Sequence, residues 1–179
     1  MSRPHIVKMD LIFAVKDEII ICEMAVRLDE IDIRLLTELQ SDADRPNVEL
    51  ARLVGLSPAA TLNRVRRLKD SGVVRRITAR LDSTTAGFPL QVYVMITVER
   101  HEASHRRFEK AVRELPEIIS ADWVTGETDA LLTVVARDVE QLQRVLSVLA
   151  TRGGAQRMIT LLRLEELKPA SPLPLTPSQ

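Results

Sequence analysis

A single cysteine, Cys22, in 179 residues leaves nothing for an intramolecular disulfide framework or a cysteine-built metal knot, and fits a reducing cytosol. Aromatic residues make up only 3%, so aliphatic packing has to supply most of the stability. Six scattered glycines build no phosphate-cradling loop. The formal net charge is zero, which removes any global pull toward nucleic acid or membrane; such a pull has to be local. Long hydrophobic runs are missing as well. The longest apolar run near the N-terminus, Leu11–Val15, is far short of a membrane span, and Asp10 with Lys16-Asp17-Glu18 interrupts any secretory signal. The expected location is cytoplasmic.

What is present describes a globular protein, 45% apolar and 28% charged, long enough for one domain or two small ones. Residues 1–27 are mixed: "IVKMDLIFAV" and "EIIICEMAV" read as two short strands or as an extension of unknown role, and Met24 is an alternative start. From Leu28 to Gly72 the period is helical. Ile31, Leu35, Leu36 and Leu39 recur at three- and four-residue steps, with Asp29 and Glu30 at the favourable N-terminal end. "SDADRPN" breaks this helix. Asn47 is the expected cap of a second, short helix that Gly55 stops, and Ser57 with Pro58 opens a third that runs to Ser71-Gly72. "VVRRITARLD" alternates and predicts a strand, followed by the linker 81–89.

Beyond the linker the period changes. In "LQVYVMITV" residues Leu90, Val92, Val94, Ile96 and Val98 share one face, with Tyr93, Met95 and Thr97 on the other. Residues 90–168 then read strand–helix–strand–strand–helix–strand, the ferredoxin-like βαββαβ order of an α+β protein. Helices cover only one face of such a sheet. The other face is too apolar to stay wet, so a homodimer is expected. The end, 169–179, holds four prolines in eleven residues and predicts a disordered tail.

The functional signal lies in 28–80. Two short helices joined at a glycine, between an upstream helix and a downstream strand, make a helix-turn-helix with the recognition helix beginning at Ser57. If Thr61, Val65 and Leu68 face inward, Ala59, Asn63 and Arg66 face outward, with Leu62 and Arg67 flanking. From Asn63 to Arg80 seven cations meet one carboxylate, Asp70, a local charge that suits double-stranded DNA. Asn63 and Arg66 have base-edge chemistry, Arg64, Arg67, Arg75 and Arg76 phosphate chemistry, and small Ala59 allows close approach. A solvated basic face on a protein-binding module is the plainer alternative.

Two further constellations invite chemistry. His101-Glu102-x-x-His105 has the spacing of a zinc-binding helix, but His101 falls at a strand–helix junction, no third ligand stands out, and Arg100, Arg106 and Arg107 oppose a cation. No metal and no cofactor is expected. The turn "GETD" offers a permissive Gly126 and two carboxylates, Glu127 and Asp129, that suit an α-ammonium; from the residues alone an ordinary polar hairpin turn is the favoured reading.

The stretch "LDEIDIRLLTELQSDADRPNVELARLVGLSPAATLNRVRRLKDSGVVRR" resembles the DNA-binding half of the Lrp/AsnC, or feast/famine, transcriptional regulators, and "VTGETDALLTV" resembles their effector-domain turn. The resemblance covers about 28–168. It implies a winged-helix-like DNA-binding domain, a hinge strand, a dimer formed through the sheet that assembles further to an octamer, and an amino-acid effector bound between dimers, with Gly126, Glu127, Thr128 and Asp129 at the pocket. Family members often carry aromatics beside that aspartate; Thr128 and Ala130 stand there instead. The expected function is sequence-specific transcriptional regulation without enzymatic activity. The alternatives are a DNA-compacting architectural protein and a haem-precursor decarboxylase on a similar scaffold, in which His101 and His105 would matter.

Overall fold

The computed structural model describes residues 27–175, so the two N-terminal candidate strands, His5 and Cys22 lie outside the described residues. Contacts divide the described chain into two units, 27–80 with 167–175, and 81–166.

The first unit is three helices around a small aliphatic core. Helix α1 (Glu30–Ser41) opens with a reciprocal cap. The Asp29 carboxylate accepts the Asp32 N–H at 2.8 Å, and the Asp32 carboxylate accepts the Asp29 N–H at 3.2 Å. Two N–H groups that the helix cannot satisfy itself are thereby paired, a contribution of about 1 kcal/mol for a side-chain cap. Helix α2 (Asn47–Val54) departs from expectation at its start. Pro46 is the cap position, and Asn47 instead donates its Nδ2 to the carbonyl of Pro58 at 2.8 Å, tying α2 to the beginning of the next helix. Gly55 ends α2 in the left-handed region, φ 72°, where a side chain would be strained. Helix α3 (Pro58–Asp70) has the predicted cap: Ser57 Oγ accepts the Ala60 N–H at 3.2 Å, with Pro58 in the first turn. Leu35, Leu36, Leu50, Val54, Val65 and Leu68 form the core where the three helices meet.

Two expectations fail in this unit. Residues 73–82 form no strand: Val73 and Val74 pack against the helical core, and the chain beyond them carries no regular element. A strand needs a neighbour for its N–H and C=O groups, and the only sheet among the described residues belongs to the other unit. Of the proline-rich end, 176–179 lie outside the described residues, while 169–175 carry no regular element but make contacts with the helices. Gln40 on α1 grips this stretch with both halves of its amide, Oε1 accepting the Leu173 N–H at 2.6 Å and Nε2 donating to the Leu173 carbonyl at 3.3 Å. Leu175 then packs against the helical core.

In the second unit the strands are β1 (Leu90–Val98), β2 (Ile118–Trp123), β3 (Ala130–Ala136) and β4 (Ala155–Leu162), with α4 (Glu102–Glu114) and α5 (Val139–Thr151) as crossovers. All pairs are antiparallel, in the order β2-β3-β1-β4, the ferredoxin-like topology. Val92, Val94, Ile96 and Val98 are buried under Phe108 of α4 and Val145 and Leu149 of α5, as their alternation predicted. The opposite face stays uncovered in the single chain. Register aligns Met95 with Leu131 and Ile159, and Tyr93 with Leu161, so their side chains share that face. The linker is a closed turn: Asp82 accepts the Thr85 N–H at 2.6 Å, the Phe88 N–H reaches the Ser83 carbonyl at 2.7 Å, and Arg137 lies over the Phe88 ring. Among the described residues no helix is long and apolar enough to cross a membrane.

Candidate nucleic-acid interface and effector turn

Helix α3 is fixed at both ends and along one side. Thr61, Val65 and Leu68 are buried, and the Thr61 hydroxyl is satisfied by the Ser57 carbonyl at 3.1 Å. The helical period then turns Ala59, Asn63 and Arg66 to solvent, as predicted, and leaves Leu62 39% exposed beside them. Ser57 is spent on its cap, so it sets where the helix begins.

Six of the seven cations divide into two groups. Arg66, Lys69, Arg75 and Arg76 are exposed and make no ion pair among the described residues. Arg64 and Arg67 depart from the expectation that they are free for phosphate. Arg64 Nη1 lies 2.6 Å from Asp29 Oδ2 and 2.9 Å from Asp32 Oδ1, and Arg67 Nη2 donates to Asp32 Oδ2. The cause is geometric. The α1 terminus presents two carboxylates to the flank of α3, and arginines three residues apart reach them together. The Arg64 guanidinium holds the Asp29 carboxyl below its ordinary pKa, helped by the Asp32 N–H, and Asp29 and Asp32 in turn raise that of Arg64.

The predicted effector turn joins β2 to β3. Gly126 has φ 129°, a conformation that side chains resist, although open space surrounds it. Glu127 is exposed; Thr128 and Asp129 are half-buried. Asp129 has an internal task. Its Oδ2 accepts the Val98 N–H at 2.8 Å, and its backbone bonds to Ile96 and Val124, so the side chain continues the β1–β3 ladder past the end of the strand. Of the two carboxylates read from the sequence, Glu127 is the one that the fold leaves without such a bond among the described residues.

Beside the turn, between α4 and β2, lies a cavity of about 540 Å³. Phe108, Val112 and Ile118 give it apolar walls, and Glu109, Arg113 and Asp122 give it charges of both signs. None of the four turn residues lines it. Trp123 closes one side, its Nε1 donating to Glu109 at 3.3 Å. Sequence inspection missed this cavity. Phe108 and Val112 carry a core-like helical stripe, and only the edge position of β2 opens the space beside them.

Comparison with known proteins settles the family. The AsnC-type helix-turn-helix domain matches residues 28–69, and the Lrp/AsnC ligand binding domain matches 91–173. The leucine-responsive regulatory protein of Escherichia coli is 36% identical over 148 residues, 82% of this chain and 90% of that protein. The chain belongs to the Lrp/AsnC family. The transcriptional regulator AldR of Mycolicibacterium smegmatis is 34% identical, covering 82% of this chain and 86% of its own. Among solved structures, a Neisseria meningitidis transcriptional regulator in complex with L-methionine superposes with TM-score 0.77 at 34% identity, covering 82% of this chain and 96% of that one. A feast or famine regulatory protein of Mycobacterium tuberculosis, complexed with L-methionine, gives TM-score 0.73 at 29% identity, covering 79% and 95%.

Of the two histidines among the described residues of this Lrp/AsnC chain, His101 stands at the cap position of α4 without a side-chain cap bond, and the His105 ring lies 4.9 Å from the Trp123 ring. Among the described residues, no three histidine, cysteine or acidic side chains gather as metal donors would.

Proposed function

We infer that this chain is an Lrp/AsnC transcriptional regulator that reads double-stranded DNA with α3 and answers to an amino-acid-like effector. The observation that carries the first half is the outward face of α3. Small Ala59, exposed Leu62, and the hydrogen-bonding pair Asn63 and Arg66 stand on a helix whose start is fixed by the Ser57 cap. Arg66 and Asn63 take base edges; Lys69, Arg75 and Arg76 take phosphates. Arg64 and Arg67 stay out of that set because their guanidiniums are engaged by Asp29 and Asp32.

The homo-oligomer begins with a dimer through the open sheet face, where Tyr93, Leu131 and Leu161 would otherwise remain wet. Successive half-sites then lie about one or more helical turns apart. An effector meets the chain at Gly126–Asp129, with exposed Glu127 as the carboxylate for an α-ammonium, and shifts assembly, toward an octamer, or DNA affinity. Two relatives of known structure hold L-methionine, which supports that ligand class.

The test is selection of bound fragments from genomic DNA, repeated with a panel of amino acids and with random competitor DNA. A recurrent, roughly palindromic site that outcompetes random DNA supports regulation. Equal retention of all fragments indicates an architectural protein instead. Sedimentation that no amino acid alters, with DNA affinity equally unmoved, removes the effector half.

A further inference from the structure

The Asp32 side chain is 1% exposed, yet it is a carboxylate in a 179-residue chain that has abundant surface for charges. A buried anion persists only when its lone pairs are filled by donors, preferably cationic ones. Here three fill it: the Asp29 N–H, Arg64 and Arg67. Both arginines come from α3, more than thirty residues away in sequence. Helix α3 carries four cations, Arg64, Arg66, Arg67 and Lys69, against one aspartate, Asp70. Asp29 and Asp32 cut that excess of three positive charges to one.

We propose that Asp32 is a positioning residue that keeps Arg64 and Arg67 off the DNA backbone and so sets how much of the binding is sequence-independent. Phosphate contacts add affinity for every sequence alike, while base contacts add it for one. A recognition helix with all its arginines free would gain more on random DNA than it gained in discrimination. Arg67 is where the restraint matters most: its side chain is 53% exposed, and its bond to Asp32 is what competes with a nearby phosphate for the guanidinium. Asp29 acts with Asp32 on Arg64, and the reciprocal cap holds both carboxylates at the α1 terminus.

The inference rests on the DNA-binding reading, and the two fail differently. Wild-type protein that ignores DNA in dilute buffer sinks that reading before any variant is made. Given binding, the slope of log affinity against log salt on random duplex DNA is measured for wild type, D32N, R67Q and R76Q. Each phosphate contact contributes about 0.9 to that slope. R76Q should flatten it by about 0.9, and R67Q should leave it unchanged. D32N, which offers one acceptor where two guanidiniums compete, should steepen it by about 0.9 for each arginine released and lower the ratio of specific to random affinity. The double variant D32N/R67Q should recover part of the lost ratio. A D32N that melts earlier but keeps the wild-type slope and ratio makes Asp32 merely structural and overturns the proposal. Should D32N not fold, R67Q decides alone: a slope flattened by about 0.9 places Arg67 on a phosphate and refutes it, and an unchanged slope upholds it.

Discussion

Replacing Asp129 by alanine tests the ladder role that the structure gives this residue of the β2–β3 turn. In the structure Asp129 Oδ2 accepts the N–H of Val98, a residue that is 2% exposed. Alanine deletes the acceptor and leaves that donor buried. A hydrogen bond to a charged group contributes about 1.5–3 kcal/mol net, and an orphaned buried donor costs a similar amount, so the second unit should lose about 2–3 kcal/mol. An asparagine side chain keeps an acceptor oxygen in the same place, and Asp129→Asn should cost about 1 kcal/mol or less. Trp123, the single tryptophan, sits on β2 at the same hairpin and reports unfolding of this unit by fluorescence. With a urea slope of about 1.5 kcal/mol per molar, the alanine midpoint falls by roughly 1.5 M and the asparagine midpoint by about half a molar. An alanine variant within about 0.5 kcal/mol of wild type would refute the ladder role. An asparagine variant as unstable as the alanine one would show that charge, not the acceptor, is what the site needs.

Arg66→Ala should weaken specific binding more than random binding, whereas Arg76→Ala should weaken both and flatten the salt dependence; competition titrations at several salt concentrations check this, and equal losses for both variants contradict the division of roles. Leu35, fully buried among three helices, should cost about 2–5 kcal/mol on conversion to alanine, read from thermal unfolding of the helical unit by circular dichroism. Ending the chain after Lys168 removes the Leu173 clamp on Gln40 and the Leu175 contact, and should lower the melting temperature of the helical unit without moving the Trp123 transition. Because the Arg64 guanidinium depresses the Asp29 carboxyl in the folded state, its contribution is present above the unfolded carboxylate pKa and is lost as pH falls through the lower folded value. Asp29→Asn, which still caps α1, should flatten the acid limb of stability against pH; an unchanged limb contradicts the pairing.

Much of this architecture was legible because its signals are local. Ser57-Pro58 begins α3 wherever it is met, since the cap bond spans three residues. The alternation of Leu90–Val98 commits one side of β1 to the core, and the burial of Val92, Val94, Ile96 and Val98 follows from a period of two. The outward set Ala59, Asn63 and Arg66 follows in the same way from the helical period. Where local signals misled, tertiary demands intervened. Asn47 has the right chemistry for a cap, yet Pro46 stands at the cap position and the Asn47 amide nitrogen donates to the Pro58 carbonyl eleven residues on. The β-branched run after Gly72 had no neighbouring strand among the described residues to complete it.

The sequence alone therefore determined the three helices of the first unit, the βαββαβ succession of the second and the face of α3 that looks outward, because capping, period and turn chemistry act within a few residues. Only the tertiary structure decided which cations are free. Arg64 and Arg76 are indistinguishable as letters, and one lies against two carboxylates while the other has no ion pair among the described residues. The same holds for Asp129 against Glu127, and for a proline-rich end that meets Gln40 some 133 residues away. Pairing energy depends on distance in space, and no periodicity along the chain encodes that distance.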